Sequence, residues 1–295
     1  MGEASVRTAR IQIGIAVVCT STGSIFVRLG EWPPLLAALV RVVFGTLLLS
    51  AILGFQRSKT GLTPPARRLA AFGGLALAVH LASWIASLSL VSVATGTLLV
   101  NTTPIFALVF ETALMRHRPR WPEILSVVMG SAGIAVIALG SGEQGGQPLG
   151  MALALLGGAT TAVYVLCARA AGRGQPTEAA LPYVRSVYAH ATLFLALAAA
   201  ITMPQGATAK GLPFILAMAF FSQGVGHTLI NLSAKKLPAA VVGIVLLGEP
   251  LLATMYAAAL FHEVPTTAFW WGAPLVVAGI LLCFTPSTTA ESNPS

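Results

Sequence analysis

Not one aspartate occurs among the 295 residues, and all nine acidic residues are glutamates. Paired-aspartate chemistry is therefore excluded. No HExxH, Ser/His/Asp set or nucleotide-binding motif is there to replace it, so neither a membrane-embedded enzyme nor an ATP-driven pump finds its machinery. Charge of either sign is scarce: only 9% of residues are charged, against roughly 25% in soluble domains. Cysteine is scarce too. Cys19, Cys167 and Cys283 stand singly in apolar sequence, with no CxxC and no histidine at ligand spacing. That excludes a disulfide framework and a zinc site, and neither metal nor cofactor is expected. What the chain has in abundance is apolar surface: 56% of residues are hydrophobic, with mean hydropathy +0.84. This is the composition of a polytopic membrane protein, whose first partner is the lipid bilayer. The net charge of +8 comes from basic residues lying between apolar runs. There is no basic face on a soluble domain, so nucleic acid is not a partner.

A helix needs about 20 mostly apolar residues to cross a bilayer. Ten candidate spans fit, at roughly 11–29, 34–55, 69–88, 93–115, 121–140, 149–168, 179–202, 211–231, 238–261 and 266–285. Leu69 to Phe110 runs 42 residues without Lys, Arg, Asp or Glu, so it must hold two helices with a turn near Ser87–Gly96. Arg7 and Arg10 precede an apolar run that continues to about Val27, long enough to be a retained first helix rather than a cleaved leader. With the N-terminus inside, thirteen Lys and Arg fall in inner segments and two, Arg28 and Lys210, in outer ones; Arg41 and Arg185 lie within spans. The bias supports both the count and an orientation with both termini cytoplasmic, in an inner (plasma) membrane. Trp32, Trp121, Trp270 and Trp271 near span ends read as interfacial anchors.

The chain also repeats itself. Pro104, Ala107, Ala113, Leu114, Pro119, Ala132, Gly133 and Ile134 recur as Pro250, Ala253, Ala259, Leu260, Pro265, Ala278, Gly279 and Ile280, every pair 146 residues apart. Each half then holds five helices, an odd number, so the second must enter the membrane from the opposite side. The expected fold is an all-α integral membrane protein of ten transmembrane helices in two inverted five-helix repeats. The repeats are 1–146 and 147–285, followed by a disordered cytoplasmic tail at 286–295. Gly130/Gly133 and Gly272/Gly279 suit close packing of the fifth and tenth spans; a homodimer through those spans is the functional alternative.

The segment GTLLVNTTPIFALVFETALMRHRPRW followed by GSAGIAVIALG, its second copy LLGEPLLATMYAAALFHEVPTTAFWWG followed by VVAGILLCF, and the early PPLLAALVRVVFGTLLL with Arg41 resemble EamA-type members of the drug/metabolite transporter superfamily. The likeness runs from about Ile11 to Phe284. It implies ten helices in two inverted repeats and a central cavity lined mainly by spans 1, 3, 4, 6, 8 and 9. It also implies movement of small metabolites; characterised relatives include amino-acid exporters. One departure stands out. Glu263 ends the ninth span where the family often carries an acid, but the matching place in the first copy is His117.

Polar and ionisable groups inside a bilayer are expensive and mark function or pairing. His80, Trp84 and Ser87 share a face of span 3, suited to a polar or aromatic solute. On span 4, Thr97, Asn101, Pro104, Leu108 and Glu111 share a face. Pro104 frees a backbone carbonyl near Val100, as Pro250 does on span 9, either for a cavity or merely as a kink. Tyr164 on span 6, preceded by Thr160 and Thr161, and Gln223, His227 and Asn231 at i, i+4, i+8 on span 8, read as cavity lining or interhelical bonding. Glu249 would be protonated or paired, receiving a substrate ammonium or a coupling proton. The substrate-binding candidates are thus His80, Trp84, Asn101, Tyr164, Gln223, His227 and Glu249. Arg41 and Arg185 are gates, a carboxylate site or snorkelling charges. Glu111 either gates or pairs with a nearby Arg, and His190 is structural. The leading function is a secondary transporter of amino acids or related amphipathic solutes by alternating access, with export favoured. The alternatives are nucleosides or cationic drugs as cargo, or a non-transporting scaffold or sensor.

Overall fold

The computed structural model describes residues 3–57, 60–87, 90–91, 93–140, 147–173 and 175–284. The helices are α1 (Glu3–Gly30), α2 (Pro34–Phe55), α3 (Pro64–Ser87), α4 (Val93–Val100), α5 (Thr103–Met115), α6 (Trp121–Leu139), α7 (Pro148–Gly172), α8 (Ala180–Thr202), α9 (Leu212–Met218), α10 (Thr228–Ala234), α11 (Ala239–Leu246), α12 (Gly248–Phe261) and α13 (Thr267–Leu282). A π-helical segment, Ala219–His227, joins α9 to α10. Among the described residues no strand occurs. Among the described residues nine helical segments are long and apolar enough to cross a bilayer, and Thr267–Leu282 is a shorter tenth. Side chains such as Leu47, Leu193, Leu197 and Leu281 are more than half exposed, which suits helices whose outer faces meet lipid rather than water. The tail expected at 286–295 lies wholly, and the turn expected near Ser87–Gly96 partly, outside the described residues.

Three of the ten expected spans are not single α-helices. The fourth is α4 and α5, interrupted at Asn101 and Thr102. Its cause is Pro104, which lacks the N–H that would hold the Val100 carbonyl. The Thr103 hydroxyl takes over that carbonyl at 2.9 Å and lies 3.1 Å from the Gly158 carbonyl of α7. The ninth breaks at Leu247, between α11 and α12, where Pro250 acts in the same way. The eighth is the α9–π–α10 rod. The first begins earlier than expected, at Glu3. The interruption falls within the stripe drawn from Thr97 to Glu111: Asn101 sits at the joint and Glu111 near the far end of α5.

The 146-residue repeat is visible in the backbone. Arg116 ends α5 in the left-handed region (φ 53°) and His262 ends α12 likewise (φ 57°); Arg57 and Met203, again 146 apart, are left-handed after α2 and α8 (φ 51° and 44°). The two halves also meet symmetrically. A Cβ placed on Gly133 would lie 2.6 Å from the Gly272 carbonyl, and one on Gly279 would lie 2.9 Å from the Ser126 carbonyl. Advancing along α6 thus means retreating along α13, so the two run antiparallel with backbones touching. The Thr46 hydroxyl on α2 meets Thr192 on α8 at 3.3 Å. These are residues 146 apart, and a residue touching its own counterpart lies on a two-fold axis. The glycines of α6 and α13 meet each other here within one chain, the close packing expected of the fifth and tenth spans.

The remaining layers are pairs of antiparallel helices. α3 packs along α7, and α1 packs along the π segment and α10, with Ser233 bonding the Ala9 carbonyl at 3.1 Å. The widened turn of the π segment is stabilised from α8. Tyr188, fully buried, gives its hydroxyl to the Gln223 carbonyl at 3.0 Å and lies 3.1 Å from Thr228 Oγ1.

Candidate functional site

Between the halves lies a cavity of about 160 Å³. Its walls come from α1, α2, α3, the α4/α5 joint, α7, the π segment with α10, and the α11/α12 joint. Six of the seven expected binding residues, His80, Trp84, Asn101, Tyr164, His227 and Glu249, line it. Both helix breaks open onto it: Val100 and Leu246, whose carbonyls the two prolines release, are lining residues 146 apart.

His80 and Trp84, one turn apart on α3, stack with ring centroids 6.2 Å apart and planes 5° from parallel. His80 Nδ1 lies 3.0 Å from the Gly157 carbonyl and 2.7 Å from Thr161 Oγ1 on α7. A carbonyl can only accept, so this network assigns the proton to Nδ1 and leaves Nε2 as an acceptor. Opposite, Tyr164 gives its hydroxyl to the His227 carbonyl at 3.3 Å and accepts from the Asn231 amide. His227 Nδ1, Asn231 Oδ1 and Gln223 Nε2 are buried without protein partners, and the π turn places all three on one rod. π turns are recurrent at functional sites.

Gln223 stands behind the cavity wall. It is fully buried and accepts from Arg41 Nε at 3.0 Å, while Ser222 Oγ accepts from Arg41 Nη2 at 3.1 Å. These two bonds aim Arg41, itself 4% exposed, into the cavity. Arg185 is exposed on α8 and is not a cavity residue; the position 146 after Arg41 is Val187, also buried. The two arginines therefore do not form a mirrored pair. Glu249 occupies the first turn of α12, where the helix dipole favours an anion, and lines the cavity together with Thr20 of α1.

Sequence reasoning missed Thr20 and Ser24, which line the cavity from α1. The polar cluster Thr20–Ser24 inside an apolar run was the signal available.

A second cavity, about 580 Å³, adjoins the first, and the two share Ser24, Val27, Trp84, Pro250 and Ala253. It is lined by Arg28, Glu263 and the 90%-exposed Val264, and so reaches the surface. An exposed Arg28–Glu263 ion pair sits at this mouth. Away from this mouth lies a buried charge cluster. Glu111, fully buried, pairs with Arg169 of α7 and accepts the Ala239 and Ala240 N–H groups at 2.8 and 3.3 Å, capping the first turn of α11. Nearby Glu123 holds His117 at 2.8 Å and Arg120 at 3.1 Å. Arg169 is one of the thirteen basic residues of the inner segments, and its partner lies 58 positions away, beyond any local pattern. The counterparts of Glu111 and Arg169, 146 positions away, are Ala257 and Gly23. Neither can form a salt bridge, and Ala257 lines the open mouth.

A multi-pass helical membrane protein with a central polar cavity between two related halves is the class that this geometry defines. The chain belongs to the EamA-like transporter family, which matches residues 9–139 and again 148–285. It is similar to the uncharacterised transporter YwfM of Bacillus subtilis (strain 168), at 26% identity over 191 residues. That match covers 64% of this chain and 64% of the relative's length. A solved crystal structure is similar in fold, with TM-score 0.79 and 20% identity, over 94% of this chain and 98% of the other.

Proposed function

We propose that this chain is a secondary transporter that moves small amphipathic metabolites, amino acids foremost, across the inner membrane by alternating access. The observation that carries the reading is the continuity of the central cavity with one surface; the buried Glu111 cluster away from that mouth supports its being a latch on the other side. A site between two repeats, reachable from one side at a time, is what rocking of the halves requires. The positive-inside bias supports an orientation with the Arg28/Glu263 mouth at the outer face and both termini in the cytoplasm. The conformer described is then outward-open. Family membership and the name of the Bacillus relative support transport, and the resemblance to amino-acid exporters favours export.

The test is reconstitution. Full-length protein in liposomes is loaded with radiolabelled amino acids, and efflux and uptake are followed against protein-free vesicles. Protein-dependent movement that saturates and is abolished in His227→Ala is the expected result. Absence of movement in either direction for amino acids, nucleosides and cationic drugs alike would end the proposal.

A further inference from the structure

We infer that Arg41 and Glu249 form a two-ended receptor, the guanidinium for the carboxylate of a dipolar solute and the Glu249 carboxylate for its ammonium group. The inference rests on the central cavity being the binding site and names the chemistry of what enters it.

Four observations support it. First, Arg41 is a buried cation facing a cavity, and among the described residues no carboxylate lies within 4.0 Å of it. Burying a charge without a counter-ion is strongly unfavourable, and a solute carboxylate supplies the missing anion. Second, the guanidinium is pre-aimed. Gln223 and Ser222 take two of its five N–H donors and fix its plane, leaving part of the fork for a carboxylate. Third, Glu249 lines the same cavity, also without an ion pair, and is held at the first turn of α12, whose N-terminal Gly248 packs on Val17 of α1. Fourth, both ends adjoin neighbouring turns of α1. Ser222, which holds Arg41, packs on Gly23, where a Cβ would lie 3.2 Å from its Oγ, and Gly248, next to Glu249, packs on Val17, also at 3.2 Å from its Cβ position; six residues of helix separate the two, about 9 Å along the axis. Among the described residues the two charges line one cavity without closing into a pair, so one small molecule can reach both. Between them, Val27, Val100, Ile230 and Leu246, with the parallel His80 and Trp84 rings, offer an apolar wall for the rest of the solute.

The inference predicts rejection of any solute carrying only one of the two charges. The probes are phenylalanine, phenylalaninamide (no carboxylate) and N-acetylphenylalanine (no ammonium), with the same trio built on leucine. Each is titrated against purified full-length protein in a thermal-shift assay. Phenylalanine or leucine should bind wild type roughly ten- to hundredfold more tightly than either partner of its trio, the effect of one charged hydrogen-bonding contact. Arg41→Gln should lose preference for the zwitterion over the amide. Glu249→Gln should lose preference for the zwitterion over the N-acetyl acid. The inference is overturned if wild type binds the members of a trio equally, or if both substitutions leave those ratios unchanged. Should Arg41→Gln fail to fold, the wild-type ratios and Glu249→Gln still decide. Stabilisation by uridine or tetraphenylphosphonium but by no zwitterion overturns the inference while leaving the cavity a binding site. No stabilisation by any probe removes both.

Discussion

Replacing Glu111 should unlatch the closed end of the molecule. Its carboxylate is fully buried and engaged three times, by Arg169 and by the N–H groups of Ala239 and Ala240. Removing one member of a buried ion pair is destabilising by about 3–5 kcal/mol. Arg169 is 18% exposed and can partly recover water, which puts the figure near the lower end, about 3 kcal/mol. The two N–H groups add about 1 kcal/mol each where water cannot replace the carboxylate. These contacts bridge α5, α7 and α11, so the loss falls on the conformer in which those helices meet. A bias of about 3 kcal/mol is roughly a hundredfold in a two-state equilibrium. Two reporters 146 apart read it: Ala107→Cys, fully buried on the closed side, and Ala253→Cys, on the wall shared by the two cavities. In a background lacking Cys19, Cys167 and Cys283, a membrane-impermeant maleimide should label Ala253→Cys and spare Ala107→Cys. With Glu111→Ala, labelling of Ala107→Cys should rise and that of Ala253→Cys should fall. A reciprocal change separates gating from unfolding, which would raise both. If Ala107→Cys stays protected and the melting temperature is unchanged, Glu111 holds nothing shut and the reasoning is refuted.

Gly133→Ala should lower the melting temperature by an overpacking cost of about 1–3 kcal/mol, because its Cβ would meet the Gly272 carbonyl at 2.6 Å. Gly54→Ala in α2, with nothing within 4 Å of the added methyl, should be neutral or slightly stabilising; equal effects would show that the α6–α13 contact does not discriminate. Lys235, just past α10, has its ammonium 5.0 Å from the Tyr183 ring centre and is pushed down to about 8 from 10.5 by burial. Between those values the unfolded chain holds a proton the folded one has released, so stability should rise with pH from about 8 to 10. Melting curves of wild type and Lys235→Met should diverge over that window, the variant being the flatter; parallel curves would mean that burial does not shift Lys235.

Composition alone settled that the chain lives in lipid, because so little charge and so much apolar surface leave no soluble fold. The 146-residue spacing made the two halves legible, since related backbones keep their prolines and close-packed glycines. Pro104 and Pro250 announced where helices would break, because a missing N–H is written in the residue itself. The side-by-side meeting of His80, Asn101, Tyr164, His227 and Glu249 could be guessed from polar residues in apolar spans, each of which needs a wet or bonded neighbour. Other facts were not legible at all. That Arg41 points inward while Arg185 points out depends on Gln223 and Ser222, more than 180 positions later, being carried to α2 by the π turn. That α5 is tied to α7 and α11 depends on Glu111 meeting Arg169 and the start of α11, whereas the same places in the other half hold Ala257 and Gly23. Local sequence fixes which groups must find partners; only the packing of distant helices decides which partners they find.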